Sequence, residues 1–149
     1  MGTFQSFILL GLLIVSANTV FALSPVNKTL LGGLAIKGYD PVSYFTESKP
    51  TKGNKKVELE HSGATWRFNS QQNLYLFKGD PKSYAPQFGG YCAWAVSQGS
   101  TAGIDPQAWK IVNEKLYLNY NKSIQKKWEK DRDSLIIKGN KNWSKLLKE

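Results

Sequence analysis

The residues best suited to chemistry in this chain are a single cysteine, Cys92, and a single histidine, His61. Thiolate and imidazole are ligands that suit Cu(I) and Zn(II), and a thiol paired with an imidazole can also act as a nucleophile. A closed tetrahedral zinc site takes four such ligands, more than this chain supplies. The sequence therefore predicts a copper or zinc site only if Cys92 and His61 converge from separate segments.

Other interpretations of both residues stay open. Gly89 and Gly90 precede Cys92, and a helix beginning there would lower the pKa of the thiol. A nucleophilic thiol also needs a group that orients its base, for which the candidates are Asp40, Glu60 and Asn69. Without a base, the thiol would be redox-sensitive only. Alternatively, Cys92 is buried and packs as a small apolar side chain, and His61 ends a strand, facing solvent or bonding to Ser62.

A second candidate site is a pocket for a flat ligand such as haem or a quinone. It would be lined by aromatic side chains near the cysteine and near Asp40. The residues assigned to it are Tyr39, Asp40, Trp66, Tyr91 and Trp94. The competing interpretation is that the aromatic residues form the core and that Asp40, which precedes Pro41, caps a helix.

The elements that must position these residues begin with a short helix at Asp40–Pro41. Residues 57–68 then alternate about Ser62–Gly63, which predicts a β-hairpin. The apolar faces of its strands are formed by Val57, Leu59 and His61, and by Ala64, Trp66 and Phe68. Ser70 is predicted to cap the next helix, and Asp80–Pro81 to start a further turn.

The second half of the chain predicts a similar set of elements. The segment that holds Cys92 is compatible with a helix ending at Gly99. Residues 108–120 predict a second hairpin with its turn at Asn113–Glu114, and residues 121–149 predict a helix that breaks at Gly139–Asn140. No internal repeat is visible. The expected fold is therefore α+β, with two short antiparallel hairpins, several short helices and a C-terminal helix in a single domain.

The charge of the chain is strongly basic and uneven. Twenty Lys and Arg against eleven Asp and Glu give a net charge of +9, and most of the excess follows Lys110. Such an excess keeps a helical face solvated, or it attracts an anionic partner such as lipid head groups or acidic polysaccharide. Nucleic acid is not an expected partner, because the N-terminus predicts export.

The first 22 residues are typical of a secretory signal peptide. An apolar run, Phe7–Val15, is followed by polar residues and by Val20 and Ala22, the small residues that a signal peptidase requires. The run is short for a membrane span, which takes about 20 apolar residues, although an uncleaved anchor is the alternative. We expect cleavage after Ala22, an N-terminal arm over residues 23–36, and a soluble periplasmic or secreted domain over residues 37–149.

Several stretches are familiar as a family pattern. "KGYDPVSYF", "GATWRFNSQQNLYLF", "DPKSYAPQFGGYCAWAVSQG" and "DPQAWKIVNEKLYLNYNKSIQKKWEKD" resemble the exported YHS-domain proteins. The wider YHS family is associated with metal handling, and in those relatives two cysteines resemble a metal-binding pair. In this sequence Asn69 and Asn73 stand at or near the two positions, so the resemblance implies a metal ligand while the thiolate pair is absent.

These observations lead to three ordered hypotheses. The first is a non-catalytic binding domain whose leading ligand class, by resemblance, is a metal ion held by Cys92 and His61. The second is an accessory envelope protein that binds an anionic partner through its basic C-terminal helix. The third is a thiol-based enzyme or a redox-sensitive protein that uses Cys92.

Overall fold

The structure of this chain, a computed structural model, describes residues 22–149. The helices are α1 (Ser43–Thr46), α2 (Gln71–Gly79), α3 (Pro81–Tyr84), α4 (Ala93–Ser97), α5 (Lys122–Lys130) and α6 (Arg132–Leu146). The strands are β1 (Asn54–His61), β2 (Ala64–Phe68), β3 (Asp105–Val112) and β4 (Lys115–Asn119), and 3₁₀ turns cover Ile36–Gly38 and Gln87–Gly90. The predicted α+β fold with two antiparallel hairpins is confirmed. The predicted signal peptide, apart from Ala22, lies outside the described residues.

The first hairpin forms as its alternation predicts. β1 pairs with β2 antiparallel, and the turn residues Ser62 and Gly63 both have left-handed φ, at 52° and 73°. Such a two-residue turn matches the twist of the flanking strands. Every second residue of β2 is buried, namely Ala64, Trp66 and Phe68. The hairpin therefore presents one apolar face to the core.

The second hairpin has the same form. β3 pairs with β4 antiparallel, and Asn113 and Glu114 take left-handed φ at 49° and 59°. β4 is buried on both faces, because Leu116 and Leu118 join one apolar cluster while Tyr117 joins another. This strand therefore divides the two parts of the core.

The two halves of the chain repeat one topology that their sequences do not reveal. β3, β4, α5 and α6 each begin 51 residues after β1, β2, α2 and α3, respectively. The strand pairs share their register, including one irregularity early in the long strand, between Asn54 and Glu58 and between Asp105 and Trp109. A 3₁₀ turn and a short helix precede each hairpin. We call residues 36–84 the first unit and residues 87–146 the second unit.

Equivalent side chains hold each hairpin to the helix that comes after it. Ser70 caps α2 by accepting from the Asn73 N–H at 3.1 Å, and Asn121 caps α5 by accepting from the Ile124 N–H at 2.9 Å. These bonds satisfy N–H groups that a helix start leaves free.

One aromatic pair then closes each unit. Trp66 packs on Phe77 in the first unit, with ring centroids 4.8 Å apart. Tyr117 packs on Trp128 in the second, at 5.4 Å. Each pair joins the second strand of a hairpin to the last turns of the next helix, so the two units share their internal packing as well as their topology.

Two local predictions need correction. The helix predicted to start at Pro41 begins at Ser43, two residues later. The break predicted at Gly139–Asn140 is wrong, because α6 runs through both residues. A Cβ on Gly139 would lie 2.7 Å from Cζ of Phe88, so glycine is needed here for close packing of a ring and does not end the helix. The break between α5 and α6 falls at Asp131 instead.

The N-terminal arm is held along both units. The Asn27 N–H donates to the Gly89 carbonyl at 2.8 Å, and the Ala35 N–H donates to the Thr65 carbonyl at 3.0 Å. The Tyr91 hydroxyl donates to the Ser24 carbonyl at 3.0 Å. Within residues 22–149, no helix combines the length and the apolar character needed to cross a bilayer.

Candidate functional site

The carboxylate of Asp40 is the polar centre of the first unit. It is fully buried, which is costly for a charged group unless hydrogen bonds compensate. Oδ1 accepts from the Val42 N–H at 2.8 Å. Oδ2 accepts from the Asn69 N–H and from the Asn73 Nδ2 group, both at 2.8 Å. The carboxylate therefore ties the start of α1 to the end of β2 and to α2.

The two asparagines around Asp40 complete a closed hydrogen-bonded cluster. Asn73 Nδ2 also donates to Asn69 Oδ1 at 3.0 Å, and Asn69 Nδ2 donates to Glu47 at 2.7 Å. Both amide nitrogens are thus used as donors toward oxygen atoms. Neither Asn69 nor Asn73 supplies a soft ligand, so the positions where the resemblance implies a metal-binding pair do not fit copper or zinc.

Cys92 is buried at the start of the second unit, with 1% of its surface exposed. It occupies the residue before α4. Its Sγ accepts from the Tyr120 N–H at 3.3 Å and lies 3.6 Å from Asn119 Oδ1, to which the thiol donates. Asn119 Oδ1 also accepts from the Trp94 N–H at 3.1 Å. The thiol therefore ties α4 to the end of β4.

Asp40 and Cys92 occupy equivalent places in the two units. Each lies two residues after the last residue of left-handed φ in its 3₁₀ turn, Gly38 in the first unit and Gly90 in the second. Each accepts the N–H of the residue just after the second strand, which is Asn69 for Asp40 and Tyr120 for Cys92. Cys92 thus holds the end of the second strand in the second unit, as the carboxylate of Asp40 does in the first.

The surroundings of these two acceptors differ. Tyr120 and Ile124 stand where the first unit has Asn69 and Asn73, and together with Trp94, Ala95 and Ala102 they line a hollow of about 230 Å³ over the thiol. The neighbouring Asn119 is fully buried, and its Nδ2 has no hydrogen-bond partner among the described residues. The polar cluster of the first unit is therefore replaced by an apolar hollow in the second.

His61 ends β1 and makes its contacts within the first unit. Its ring lies edge-on to Phe77 with centroids 5.6 Å apart, and its carbonyl accepts from Trp66 Nε1 at 3.0 Å. Cys92 bonds instead to residues around the end of β4. Within residues 22–149, no group of three or more His, Cys, Asp or Glu side chains is arranged to hold a metal ion.

The five residues predicted to line one pocket are spread over both units. Trp66 and Asp40 are buried in the first unit, and Tyr39, at its start, is half-buried. In the second unit, Tyr91 packs on Trp143 with centroids 5.9 Å apart. Trp94 borders the hollow over Cys92, and Lys127 Nζ lies 4.9 Å from the centre of its ring.

A wider cleft of about 820 Å³ lies between α1, β3 and α5. Its aromatic walls are Tyr44, Phe45, Tyr84 and Trp109, and its charged residues are Lys110, Glu114, Lys122 and Glu129. The sequence gives no sign of this role for Trp109, because its neighbours in the cleft come from distant segments. Tyr44 closes the inner wall by donating to the Pro106 carbonyl at 2.9 Å. Burial, with the nearby charges of Tyr39, Asp105 and Asp40, raises the pKa of Tyr44 far above its ordinary value.

The outward face of α6 carries charge of one sign. Four lysines recur at helical spacing: Lys138, Lys141 and Lys145 share this face, and Lys148 follows in the turn just after the helix ends. All four are exposed, and no acidic residue occurs between Ser134 and Lys148. The opposite face is buried through Leu135 and Gly139. We call these four side chains the lysine face.

None of the four lysines forms an ion pair with another described residue. The ion pairs found within residues 22–149 join Lys49 to Glu47, Arg67 to Glu58 and Arg132 to Asp133. Like charges three and four residues apart destabilise a helix by about 0.2–0.5 kcal/mol per pair. Repulsion along the lysine face therefore costs stability, which the helix dipole offsets only at Lys145 in the last turn, and an anionic partner would reduce this repulsion.

Comparison with known proteins gives one match. Residues 42–88 match the family model of the YHS domain. No curated protein and no solved structure is significantly similar to the chain. The matched segment spans α1 to α3 and ends inside the 3₁₀ turn at Gln87–Gly90. It contains Asn69 and Asn73, whereas Cys92 and the lysine face lie beyond it.

Proposed function

We propose that this YHS-domain-containing protein is exported and acts without catalysis, as an accessory protein that binds an anionic partner through the lysine face of α6. The observation that carries the proposal is the set of four exposed lysines on one face with no acidic residue among them. On a solvated helix like charges at this spacing repel, and only Lys145, in the last turn of α6, gains from the helix dipole. An anionic partner neutralises all four charges at once.

Binding to a soluble polyanion tests this proposal. In the test variant Lys138, Lys141, Lys145 and Lys148 are changed to Gln, and in the matched control Lys49, Lys52, Lys55 and Lys56 are changed to Gln. Both variants lose the same charge, but the control residues lie before and within β1. On a heparin column we expect the test variant to elute at clearly lower salt than the control. Equal elution of the two would show that only net charge matters and would overturn the proposal.

The non-catalytic part of the proposal is supported by the state of the thiol. Cys92 is buried and hydrogen-bonded to Asn119 and Tyr120, and a catalytic thiol needs access to substrate and a base. We expect iodoacetamide to alkylate Cys92 slowly in the folded protein and rapidly after unfolding. Fast alkylation of the folded protein, with a thiol pKa well below the free value of about 8.5, would contradict a non-catalytic role.

Export is tested by the N-terminus of the protein recovered from an exporting host. Mass spectrometry is expected to find Leu23 as the first residue, since Val20 and Ala22 fit the requirements of signal peptidase. A chain that keeps residues 1–22 would instead support the membrane-anchor interpretation.

Metal binding is a second candidate, favoured by the match to the YHS domain. The only soft donors of the chain are Cys92, His61 and the thioether of Met1, and the structure engages Cys92 and His61 in separate contacts. Titration with Cu(I) and with Zn(II) decides between the candidates. Stoichiometric binding that is lost in both Cys92→Ser and His61→Ala would establish a site at these residues. Absence of binding at micromolar metal concentrations would show that metal binding is not the function of this protein.

A further inference from the structure

We propose that the anionic partner is a phospholipid bilayer, which the lysine face meets together with Ile137 and with the point where the preceding chain joins the domain. This inference rests on the proposed function and narrows it to one partner. The charge of α6 favours an anionic partner, and two further features support a bilayer over a soluble polyanion. They are an apolar side chain at the edge of that charge and the position of residue 23.

Ile137 distinguishes the two kinds of partner. It is 71% exposed, and it lies beside Lys138 and one helical turn from Lys141. An acidic polysaccharide attracts lysines but gives an exposed isoleucine nothing to contact. A bilayer attracts lysines through its anionic head groups and also buries apolar side chains at the level of the acyl chains. An exposed isoleucine at the edge of a lysine face is therefore suited to lipid.

The N-terminal end of the described chain lies at the same end of the molecule as the last lysines. Leu23 shares a surface hollow with Leu146 and Glu149, beside Lys145 and Lys148 in sequence. Residues that precede Leu23 therefore join the domain next to the C-terminal end of α6.

This position favours a bilayer whether or not the signal peptide is cleaved. If cleavage occurs after Ala22, the new amino terminus adds a positive charge at the C-terminal end of α6, near Glu149. If residues 1–22 stay attached, the apolar run that ends at Val15 lies within about 28 Å of Leu23, given at most about 3.5 Å per residue. An apolar anchor and a basic surface together give much firmer membrane attachment than either alone.

Vesicle binding tests the inference, using the protein recovered from an exporting host with its N-terminus determined by mass spectrometry. The probes are phosphatidylcholine vesicles with and without about a third phosphatidylglycerol, at low and high salt. We expect binding to the anionic vesicles that weakens with salt. Each lysine near an anionic surface contributes about fivefold, so changing all four to Gln should weaken binding several hundredfold. The Lys49, Lys52, Lys55 and Lys56 control should weaken it far less.

Ile137→Ser separates this inference from the proposed function. The substitution keeps every charge and alters an exposed side chain, so the fold should be unchanged by circular dichroism. We expect about tenfold weaker binding to anionic vesicles and unchanged elution from heparin. If Ile137→Ser leaves vesicle binding unchanged while the lysine variant loses heparin binding, the bilayer is wrong and the anionic partner stands. If the lysine variant binds both heparin and anionic vesicles as the wild type does, both proposals are wrong.

Discussion

The first and second units share a topology but differ in chemistry. Both place a 3₁₀ turn, a short helix, a hairpin and a capped helix in the same order and strand register. At their centres, however, one has the buried carboxylate of Asp40 within a polar cluster, and the other has the thiol of Cys92 under an apolar hollow. The two units thus share a hydrogen-bond acceptor at this position but differ in its chemical type.

The units also differ in the length of the helix after the capped one. α3 covers only Pro81–Tyr84 in the first unit, whereas α6 covers Arg132–Leu146 in the second. Pro86 comes shortly after α3, and proline cannot donate the backbone bond that would extend a helix. The lysine face is thus carried by an element that the first unit has only as a single turn. The shared elements build the fold, and the lengthened one is the basis of the proposed function.

The largest expected effect is a difference in stability loss between removing the carboxylate of Asp40 and removing the thiol of Cys92. Asp40→Ala leaves the Val42 and Asn69 N–H groups without a partner and removes one of the two acceptors of Asn73 Nδ2, so we expect a loss on the order of 4 kcal/mol in the free energy of unfolding. Cys92→Ala removes two weak bonds to sulfur and should cost about 1–2 kcal/mol. Urea unfolding at neutral pH measures both. Equal costs would mean that the carboxylate and the thiol contribute alike.

A transplanted carboxylate tests whether the two positions are equivalent. In Cys92→Asp the new carboxylate can accept from the Trp94 and Tyr120 N–H groups, and from Asn119 Nδ2, which has no partner within residues 22–149 of the wild type. We therefore expect a folded protein that is destabilised by no more than about 2 kcal/mol.

The pH dependence of that variant provides the check. A carboxylate that receives hydrogen bonds has a lowered pKa, so the folded state loses stability as the pH falls through that pKa. If the carboxylate were buried without donors, its pKa would be raised and the variant would gain stability as the pH falls from neutral. That second outcome would refute the equivalence. Cys92→Val, which keeps the size and removes the acceptor, is the control.

The hairpin turns give a smaller, symmetrical test. Gly63 and Glu114 occupy the same place in the two turns, at φ of 73° and 59°, where a side chain is disfavoured. Gly63→Glu should cost about 1 kcal/mol, since nothing lies near the added Cβ except its own backbone. Glu114→Gly should stabilise by about 0.5 kcal/mol. Thermal unfolding measures both, and changes of the same sign would show that the turns are not equivalent.

An effect of similar size concerns the contact between the units. Tyr44 of the first unit donates to the Pro106 carbonyl of the second, so Tyr44→Phe should cost about 1 kcal/mol at neutral pH. Because burial raises the pKa of Tyr44 above its ordinary 10.0, the unfolded chain loses this proton first as the pH rises. Stability should therefore fall above about pH 10, by up to about 1.4 kcal/mol per pH unit.

Urea unfolding between neutral pH and pH 11 checks this dependence. The difference between the wild type and Tyr44→Phe should shrink above pH 10, because the variant has no proton to lose at this position. Tyr75→Phe is the control, since Tyr75 is 60% exposed. A constant difference across the range would contradict the assignment of this proton.

Much of the local structure is predictable from sequence because its causes are local. The alternation about Ser62–Gly63 predicts the first hairpin, and Ser70 predicts the start of α2. Gly139 misleads because its cause is distant, as the ring of Phe88 occupies the space where a Cβ would be. The repeated topology is equally hidden. Trp66 and Phe77 correspond to Tyr117 and Trp128, which are alike in role but not in identity.

The candidate site was less predictable for the same reason. Asp40 is recognisable as a helix-capping residue, but its bonds to Asn69 and Asn73 cross more than half of the first unit. Cys92 gives no sequence sign that Tyr120 will donate to its sulfur. The lysine face, in contrast, is evident from helical spacing once α6 is known to be continuous.

The bonds that hold the N-terminal arm imply an order of assembly. Asn27 bonds to Gly89 and Gly90, and a Cβ on Gly89 would lie 2.0 Å from the Pro25 carbonyl oxygen, so the arm has little latitude in where it docks. Because synthesis proceeds from the N-terminus, the arm emerges before any of these partners exist. The first part of the domain to be made is thus among the last to find its place. Until the arm docks, no folded structure covers the proposed cleavage point after Ala22. A signal peptidase would therefore have access to it during this interval.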